Sequence, residues 1–340
     1  MKAYIAGIAY YLPKPLETNE GNFLCKKTGI LYRHICPAEH TAADMAFLAA
    51  EKLFAQGVAR DNVEFLLLCT QSPDYFLPST ACILQDRLHL RCHCGALDFN
   101  LGCSGYVYGL GLAKGLIESG QASNVLLLTA ETYSKHINPR DHAVRPLFGD
   151  AATATWIAGK ESEISGIRSM VYGTDGSGAE HLIVPVGGMR KRHDKTPLQE
   201  TVDAYGNVRT NRDIRMNGGA IMDFTIRVVP EVVQTILARE GLRKEEVDYY
   251  VFHQANRFML ERLQKRCGLM GFPYWNDVKN YGNTVSNSLP IALADLMHRE
   301  RETQLQQVML VGFGVGLSWG GCMADLSMAA QQGDEGLSVD

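Results

Sequence analysis

The chain contains an internal repeat, and this repeat limits the possible folds more than any other feature. Residues 56–68 resemble residues 240–252 at an offset of 184 residues, and residues 124–128 resemble residues 307–311 at an offset of 183 residues. A nearly constant offset at two separate places predicts that one structural unit occurs twice. Two such units packed together would account for the length of 340 residues.

Each copy of the repeat has the pattern of a helix followed by a strand. A glycine (Gly57 or Gly241) and a short polar turn lead from each predicted helix to a continuous apolar run. Such runs are typical of central strands that have helices on both faces of their sheet. The sequence therefore predicts an α/β fold with two halves. The residues that define the two buried helical faces are Ala46, Ala49, Ala50, Leu53 and Phe54 in the first copy and Val229, Val232, Val233, Ile236 and Leu237 in the second.

Charge and hydropathy exclude two classes of function. The formal net charge is −4, so the chain has no overall positive field to hold a nucleic acid, and we predict no nucleic-acid partner. No apolar run reaches the roughly 18 residues that a membrane-spanning helix needs, so we predict no membrane span. The apolar opening, residues 3–12, is interpreted as a strand rather than a signal peptide.

The cysteines indicate a reducing compartment. There are nine of them, an odd number without the spacing of a disulfide framework. We therefore expect free thiols and a cytoplasmic location. Cys92-His93-Cys94, with His89 nearby, is the only cluster that resembles a metal site, and it lacks a second pair of ligands. We expect no metal site.

Cys103 is the first candidate for chemistry. It lies between a strand pattern over residues 96–101 and a helical pattern that begins near Val107. A thiol where a strand turns into a helix lies at the positive end of the helix dipole, which favours the thiolate. A buried structural cysteine remains an equal alternative at this point.

His253 and Asn283 are the other two candidates. His253 directly follows the apolar strand of the second repeat copy, and α/β sheets place their sites at the carboxyl ends of strands. Asn283 lies on a loop that enters a predicted helix from Ser288 to Met297. A core histidine and an ordinary Gly-Asn-Thr turn are the alternatives. The glycine-rich turn over residues 312–320 lacks dinucleotide-binding spacing, but its backbone N–H groups are suited to bind an oxyanion.

Together these motifs make the chain similar to the β-ketoacyl-acyl carrier protein synthase III family. The resemblance runs from residue 2 to about residue 327. It implies the thiolase fold, a duplicated five-layered α/β/α/β/α sandwich, usually in a homodimer. The segments that resemble the family, in chain order, are Lys27-Thr28-Gly29-Ile30, Phe76-Leu77-Pro78-Ser79, Asn100-Leu101-Gly102-Cys103-Ser104-Gly105-Tyr106, Leu147-Phe148-Gly149-Asp150, His253-Gln254-Ala255-Asn256, residues 282–290 and residues 314–320.

The resemblance implies an acyltransferase that performs a decarboxylative Claisen condensation. Cys103 would accept an acyl group from a thioester of coenzyme A or of a carrier protein. His253 and Asn283 would bind the carbonyl of a malonyl (or 3-oxoacyl) thioester on acyl carrier protein, and a 3-oxoacyl thioester would be the product. No permanently bound cofactor is expected.

The resemblance also assigns roles around Cys103. The backbone N–H groups of Cys103 and Val315 would form a second oxyanion hole. Phe313, followed by Gly314, would pack beside the nucleophile. Leu77 would reach across a dimer and shape the partner's acyl pocket.

Three positions depart from the pattern of the enzymes that prime fatty-acid synthesis. Phe23 replaces a tryptophan that stacks on the adenine of coenzyme A, four residues before Lys27. His142 replaces an arginine, and Arg257 follows Asn256 more closely than the corresponding basic residue usually does. The resemblance implies that the residues which contact the substrate or the carrier protein are Phe23, Lys27, His142, Asn256 and Arg257. We therefore expect a specialised relative that takes its acyl group from a carrier protein or an unusual thioester. Its donor, chain length and pathway stay open between fatty-acid, other lipid, secondary-metabolite and surface-polysaccharide synthesis.

The chain is predicted to divide into three parts. Residues 1–172 would form the half that carries the nucleophile, residues 173–220 would be connecting loops, and residues 221–340 would carry the histidine and asparagine.

Two alternative functions remain open. One is acyl transfer to an alcohol or amine without condensation, and the other is a catalytically silent partner of another synthase. A cysteine protease is disfavoured because the Cys-Gly-Ser-Cys-Trp signature is absent. A hydroxymethylglutaryl-type synthase is disfavoured because Thr70-Gln71-Ser72 offers no carboxylate.

Overall fold

A computed structural model describes residues 1–21 and 23–329. The helices are α1 (Phe23–Thr28), α2 (Ala42–Ala55), α3 (Thr80–Arg87), α4 (Gly105–Glu118), α5 (Gly218–Glu240), α6 (Arg257–Arg266), α7 (Val278–Tyr281) and α8 (Ser288–Arg299). The strands are β1 (Lys2–Tyr11), β2 (Leu16–Thr18), β3 (Tyr32–His34), β4 (Phe65–Cys69), β5 (Gly95–Phe99), β6 (Asn124–Glu131), β7 (Ala151–Lys160), β8 (Ile167–Thr174), β9 (Leu182–Ile183), β10 (Glu200–Val202), β11 (Val208–Thr210), β12 (Arg215–Met216), β13 (Tyr249–Phe252), β14 (Val308–Gly314) and β15 (Ser318–Ala324).

Two mixed sheets form the centre of the molecule and repeat one topology. The first sheet has the strand order β1-β7-β6-β4-β5, and the second has the order β8-β15-β14-β13. In both sheets the first two neighbouring pairs are antiparallel and the next pair is parallel. The single parallel bridge between Tyr250 and Tyr274 occupies the place of β5 in the second copy. The duplicated unit predicted from the repeat is therefore confirmed.

Helices cover both faces of both sheets. Helices α2 and α3 pack outside the first sheet, α4 and α8 lie between the sheets, and α5 and α6 pack outside the second sheet. Side chains of a strand alternate between these layers, as the pleat requires. In β6, Leu126 and Leu128 face the outer helices, whereas Val125 and Leu127 face the middle layer.

Local sequence signals set the ends of the two predicted helices. Thr41 and Asp44 form a reciprocal capping box at the start of α2. Helix α5 ends at Gly241, which adopts a left-handed φ of 67° that a residue without a Cβ atom tolerates best. Both helices then lead through a turn into a largely buried strand, β4 or β13.

The link between the two halves contains strands as well as loops. The predicted boundary after residue 172 falls inside β8, which pairs with β15 of the second sheet. Within residues 173–220, β10 pairs with β11 and β12 pairs with β9, both antiparallel. The division of the chain into parts stays a prediction, and residues 330–340 of the proposed second half lie outside the described residues.

Candidate active site

The structure brings Cys103, His253 and Asn283 together at one cavity of about 420 Å³. Cys103 lies between β5 and α4, His253 directly follows β13, and Asn283 lies between α7 and α8. All three are buried, with 5%, 2% and 8% of their surface exposed. Each therefore presents a reactive group to the cavity from a well-packed position.

Glycines of β14 allow the turn that carries Cys103 to approach that strand closely. A Cβ atom on Gly312 would lie 2.8 Å from the carbonyl oxygen of Cys103. A Cβ atom on Gly314 would lie 2.8 Å from Cβ and 3.0 Å from Sγ of Cys103. Larger residues at either position would push Cys103 away from the strand.

The Cys103 thiol is protonated in this environment. Burial raises the pKa of the Cys103 thiol to about 12, and the carboxyl group of Glu131 acts in the same direction. The backbone N–H groups of Cys103 and Val315 lower the pKa of the thiol, because both point at the sulfur. The net shift of the Cys103 pKa is upward because burial of a charged sulfur is costly, although a place at the start of a helix favours the thiolate.

His253 is a neutral ring with one nitrogen held by the protein. Its Nδ1 atom lies 2.6 Å from the hydroxyl oxygen of Ser288, and Phe313 packs edge-on against the ring at a centroid distance of 5.4 Å. Burial lowers the pKa of His253 to about 3. Since Nδ1 is engaged, Nε2 is the ring atom that is available to a ligand in the cavity.

Asn283 is oriented by its own loop. Its Oδ1 atom accepts a hydrogen bond of 2.9 Å from the backbone N–H of Val285. Its backbone also forms two hydrogen bonds with the segment around Phe148. The Asn283 N–H donates to the carbonyl of Leu147, and the Asn283 carbonyl accepts from the N–H of Gly149. Among the described residues no protein atom accepts a hydrogen bond from Nδ2, so the amide presents a donor to the cavity.

A buried carboxyl group near Cys103 was not predicted from the sequence. Glu131 is fully buried and accepts hydrogen bonds from the backbone N–H of Gln71 and from the hydroxyl groups of Ser72 and Ser286. Burial raises the pKa of Glu131 to about 8, although these hydrogen bonds lower it. The only sequence signal for Glu131 was its position at the end of a predicted strand.

Four of the residues assigned to pocket or substrate contacts line the same cavity: Lys27, Asn256, Phe313 and Gly314. Lys27 is exposed, and its Nζ atom lies 4.8 Å from the centre of the Phe258 ring. Asn256 caps α6 through a 2.9 Å hydrogen bond from the Met259 backbone N–H to its side chain. The chain therefore places a cation and an amide along this cavity.

The other assigned residues do not belong to the cavity lining. Val315 contributes its backbone N–H to Cys103, and Arg257 bonds the carbonyl of Lys26. Phe23, Leu77 and His142 are exposed, Phe23 and Leu77 by 82% and 83% of their surfaces. None of these three contacts Cys103.

Much of the apolar cavity lining comes from residues that the sequence analysis missed. The start of α5 and the strand before it supply several of them, although this segment was predicted to be connecting loop. Their helical spacing after residue 217 was the one available signal. Thr28, Leu147, Phe148 and Ala255 lie within segments that carry the resemblance but received no site role. The other lining residues without a predicted role are Leu24, Ala143, Leu182, Met216, Gly218, Gly219, Ile221, Met222, Phe258 and Met259.

Residues 1–21 and 23–329 contain neither a membrane-spanning helix nor a clustered set of metal ligands. No helix there is both long enough and apolar enough to cross a membrane. No cluster of three or more histidine, cysteine, aspartate or glutamate side chains within the same ranges is arranged to hold a metal ion.

Comparisons with known proteins agree with this geometry. Residues 97–176 match the family described as 3-oxoacyl-[acyl-carrier-protein (ACP)] synthase III, and residues 237–326 match its C-terminal family. A β-ketoacyl-[acyl-carrier-protein] synthase III from Clostridium perfringens is 34% identical over 334 residues, which cover 95% of this chain and 99% of the relative. The corresponding protein from Clostridioides difficile is 36% identical over 330 residues, with 94% and 97% covered.

Solved structures give the same result for the fold. A crystal structure of a 3-oxoacyl-(acyl-carrier-protein) synthase III superimposes with a TM-score of 0.93 at 47% identity and covers 96% of this chain and 100% of its own. A synthase from Burkholderia xenovorans superimposes with a TM-score of 0.87 at 34% identity, with 97% and 95% covered. The predicted thiolase fold is confirmed, and the chain belongs to the 3-oxoacyl-[acyl-carrier-protein] synthase III family.

Proposed function

We propose that this chain is a condensing acyltransferase that joins an acyl group on Cys103 to a malonyl thioester on acyl carrier protein. The observation that carries the proposal is the convergence of Cys103, His253 and Asn283 on one cavity. A nucleophile and two neutral hydrogen-bond donors are what an acyl transfer followed by formation of an enolate requires. Family membership supports the same reaction.

The first step transfers the acyl group to Cys103. The sulfur attacks the carbonyl carbon of the donor thioester, the bond from that carbon to the donor sulfur breaks, and the proton of Cys103 ends on the departing thiol. Negative charge develops on the carbonyl oxygen during the attack. The backbone N–H groups of Cys103 and Val315, which point at the sulfur in the free protein, lie close enough to the attacked carbonyl to donate to its oxygen and stabilise that charge.

The second step removes carbon dioxide from the malonyl thioester. The bond between the α-carbon and the carboxylate breaks, and its electron pair forms an enolate. Nε2–H of His253 and Nδ2–H of Asn283 donate to the enolate oxygen. Because the pKa of His253 is lowered to about 3, the ring is a neutral donor and does not protonate the carbanion.

The third step forms the carbon–carbon bond. The α-carbon attacks the carbonyl carbon of acyl-Cys103, the carbon–sulfur bond breaks, and a 3-oxoacyl thioester leaves on the carrier protein. The sulfur departs as a thiolate and takes up a proton, since burial raises the thiol pKa to about 12. The cycle requires no permanently bound cofactor.

Cations beside the cavity fit the phosphate of a phosphopantetheine arm. Lys27 lines the cavity, and Arg262 lies 4.7 Å from the centre of the same Phe258 ring that Lys27 covers. We place the arm of the carrier protein along this wall, with Asn256 and Arg257 as further contacts. Phe23 and His142 remain exposed and free to contact a carrier-protein surface or an unusual donor.

An exposed apolar segment supports assembly as a homodimer. Tyr75, Phe76 and Leu77 expose 62%, 80% and 83% of their surfaces on adjacent positions. Apolar patches of this kind mark interfaces between proteins. In the proposed dimer Leu77 enters the acyl side of the partner's site, and each half of the chain, residues 1–172 and residues 221–340, contributes to the cavity. A cytoplasmic location stays a prediction.

Intact-protein mass spectrometry tests the function. Wild type and Cys103→Ala are incubated with acyl-coenzyme A and acyl-carrier-protein donors, and malonyl-carrier protein is then added. We expect an acyl adduct only on the wild type, which malonyl-carrier protein discharges with release of a 3-oxoacyl product. The preferred donor then shows whether the acyl group comes from coenzyme A or from a carrier protein.

Two other outcomes contradict condensation. An adduct that an alcohol or amine discharges, but malonyl-carrier protein does not, identifies a simple acyltransferase. Absence of an adduct with a broad donor set, with and without a possible partner synthase, removes Cys103 as the nucleophile and favours a silent subunit.

A further inference from the structure

A buried arginine outside the cavity lining supports the segment that is bonded to Asn283. Arg33, the middle residue of β3, has only 3% of its surface exposed. Its Nη1 atom donates to the carbonyl of Arg145 at 2.7 Å and to that of Phe148 at 3.5 Å. The planar guanidinium group therefore holds residues 145–148 at two points. The steps of the proposed function do not use Arg33.

A largely buried ion cluster fixes the guanidinium group itself. Nη2 of Arg33 donates to Oε2 of Glu17 at 3.0 Å and to Oδ1 of Asn19 at 3.2 Å. The other carboxylate oxygen of Glu17 accepts from the side chain of Arg145. Asn19 also donates to the carbonyl of Pro146 at 2.8 Å. A buried cation is costly, and the carboxylate between the two guanidinium groups offsets this cost.

The side chain of Arg33 also packs against the residue before Asn283. A Cβ atom on Gly282 would lie 2.9 Å from Cγ of Arg33 and 2.9 Å from the carbonyl oxygen of Leu147. Gly282 has a φ of 67°, which a residue without a Cβ atom tolerates best. Arg33 therefore contacts the chain exactly where it turns into the Asn283 loop.

The amide of Asn283 is coupled to the segment that Arg33 holds. The Asn283 backbone N–H donates to Leu147 at 2.8 Å, and its carbonyl accepts from Gly149 at 3.0 Å. The side chain is in turn fixed to its own loop through the N–H of Val285. A displacement of residues 147–149 would therefore move the amide as well.

We propose that Arg33 is a positioning residue that acts through Asn283 and directs Nδ2–H of this amide at the thioester carbonyl. The inference rests on the proposed function, in which that donor binds the enolate oxygen. A displacement of a reacting group by about 1 Å costs up to about 100-fold in rate. Cys103 packs instead against Gly312 and Gly314 of β14, so its position does not depend on Arg33.

Separate measurement of the two half-reactions tests the inference. Acylation of Cys103 is followed by intact mass, and carbon dioxide release from malonyl-carrier protein is followed on the acylated enzyme. Arg33→Met keeps an apolar stem but removes the hydrogen bonds of the guanidinium group. We expect normal acylation and a loss of about tenfold in carbon dioxide release. Arg33→Lys keeps one donor for the Arg145 carbonyl and should lose less.

A double variant distinguishes positioning from general damage to the site. In Asn283→Ala the amide is absent, so adding Arg33→Met should cause no further loss of carbon dioxide release. A defect that acts independently of the amide would instead slow the double variant further.

Arg168→Met is the matched control. Arg168, on β8 at the edge of the second sheet, has 17% of its side chain exposed and pairs with Glu240 at 2.8 Å. The variant also loses a largely buried ion pair, yet both rates should stay at the wild-type value.

A second variant decides the question if Arg33→Met does not fold, as judged by its circular dichroism spectrum and thermal melt. Glu17→Gln leaves Arg33 in place but removes the charge of its partner. It should leave acylation unchanged and slow carbon dioxide release about threefold, in line with the energy of a partly exposed ion pair.

Three results would overturn the inference in distinguishable ways. Carbon dioxide release at the wild-type rate in folded Arg33→Met, or in Glu17→Gln where it replaces that variant, shows that the cluster does not position the donor. An equal loss in both half-reactions, or a further loss in the double variant, assigns Arg33 a structural role alone. A wild type that is not acylated, or that releases no carbon dioxide, overturns the proposed function and this inference with it.

Discussion

Nδ1 of His253 lies 2.6 Å from the hydroxyl oxygen of Ser288, the first residue of α8. The same oxygen also accepts the backbone N–H of Gln254 at 3.4 Å, so the hydroxyl proton is directed at the ring. A neutral ring that accepts at Nδ1 carries its proton on Nε2, where a thioester carbonyl needs a donor. In the proposed function, Ser288 is thus a positioning residue that acts through His253.

Ser288→Ala should slow malonyl decarboxylation about fivefold, because it removes one hydrogen bond worth about 1 kcal/mol that selects the ring tautomer. Acylation of Cys103 should stay unchanged, since that step does not use His253. Release of carbon dioxide and intact mass measure the two steps separately. Ser288→Thr keeps the hydroxyl group and should restore decarboxylation. Equal rates for the alanine variant and the wild type would contradict the role.

Asn283→Asp keeps the shape of the side chain at this position but removes its hydrogen-bond donor. The aspartate keeps the oxygen that accepts the Val285 N–H, but it places a second oxygen where Nδ2 now donates. We expect condensation to fall about 100-fold, the loss typical of one oxyanion donor. Acylation of Cys103 should proceed normally. Condensation at the wild-type rate would show that Nδ2 does not bind the enolate oxygen.

Glu131 provides a pH test of the charge near the nucleophile. The raised pKa of about 8 leaves this carboxyl group neutral below that pH and charged above it, and its charge raises the pKa of Cys103. Alkylation of Cys103 by iodoacetamide should therefore proceed at equal rates in wild type and Glu131→Gln at pH 7. Above pH 8 the variant should react faster. Coincident rates over the whole range would exclude an effect of the charge.

The same variant should change the dependence of stability on pH. The folded protein holds a proton on Glu131 that the unfolded chain has lost above its ordinary pKa of 4.5. The stability from this proton is complete below pH 4.5 and disappears as the pH rises through about 8. The Glu131→Gln variant has no carboxyl proton to lose. Its free energy of unfolding, measured with urea, should therefore decrease less between pH 5 and pH 8 than that of the wild type.

Gly314→Ala tests the close approach of β14 to the nucleophile. The new Cβ atom would lie 2.8 Å from Cβ of Cys103, so either the strand or the cysteine must move. We expect a loss of about 1–3 kcal/mol in the free energy of unfolding and slower acylation of Cys103. Gly115→Ala in α4 meets no atom within 4 Å and should be stabilising by about 0.5–1 kcal/mol. Normal acylation in Gly314→Ala would contradict the packing argument.

Local patterns were enough to predict a duplicated α/β fold and to single out Cys103, His253 and Asn283 as candidates, whereas their proposed roles came from the resemblance to the family. The repeat at an offset of 184 residues predicted the duplicated sheets, because two copies of one pattern bury their apolar faces in the same way. Cys103 and His253 became candidates because each follows a strand pattern. In α/β folds, polar residues at the carboxyl ends of buried strands often belong to a functional site.

Other properties of the site depended on tertiary packing. Cys103 lies at the start of a helix, which favours a thiolate. Burial and Glu131, which is distant in sequence but close in space, nevertheless raise the pKa of Cys103 to about 12. The contacts between Arg33 and Arg145, and between His253 and Ser288, join residues 112 and 35 positions apart. The sequence on either side of each residue does not indicate which distant residue it contacts. Periodicity records which face of an element is buried, whereas desolvation and hydrogen-bond partners depend on all the segments that fold around a group.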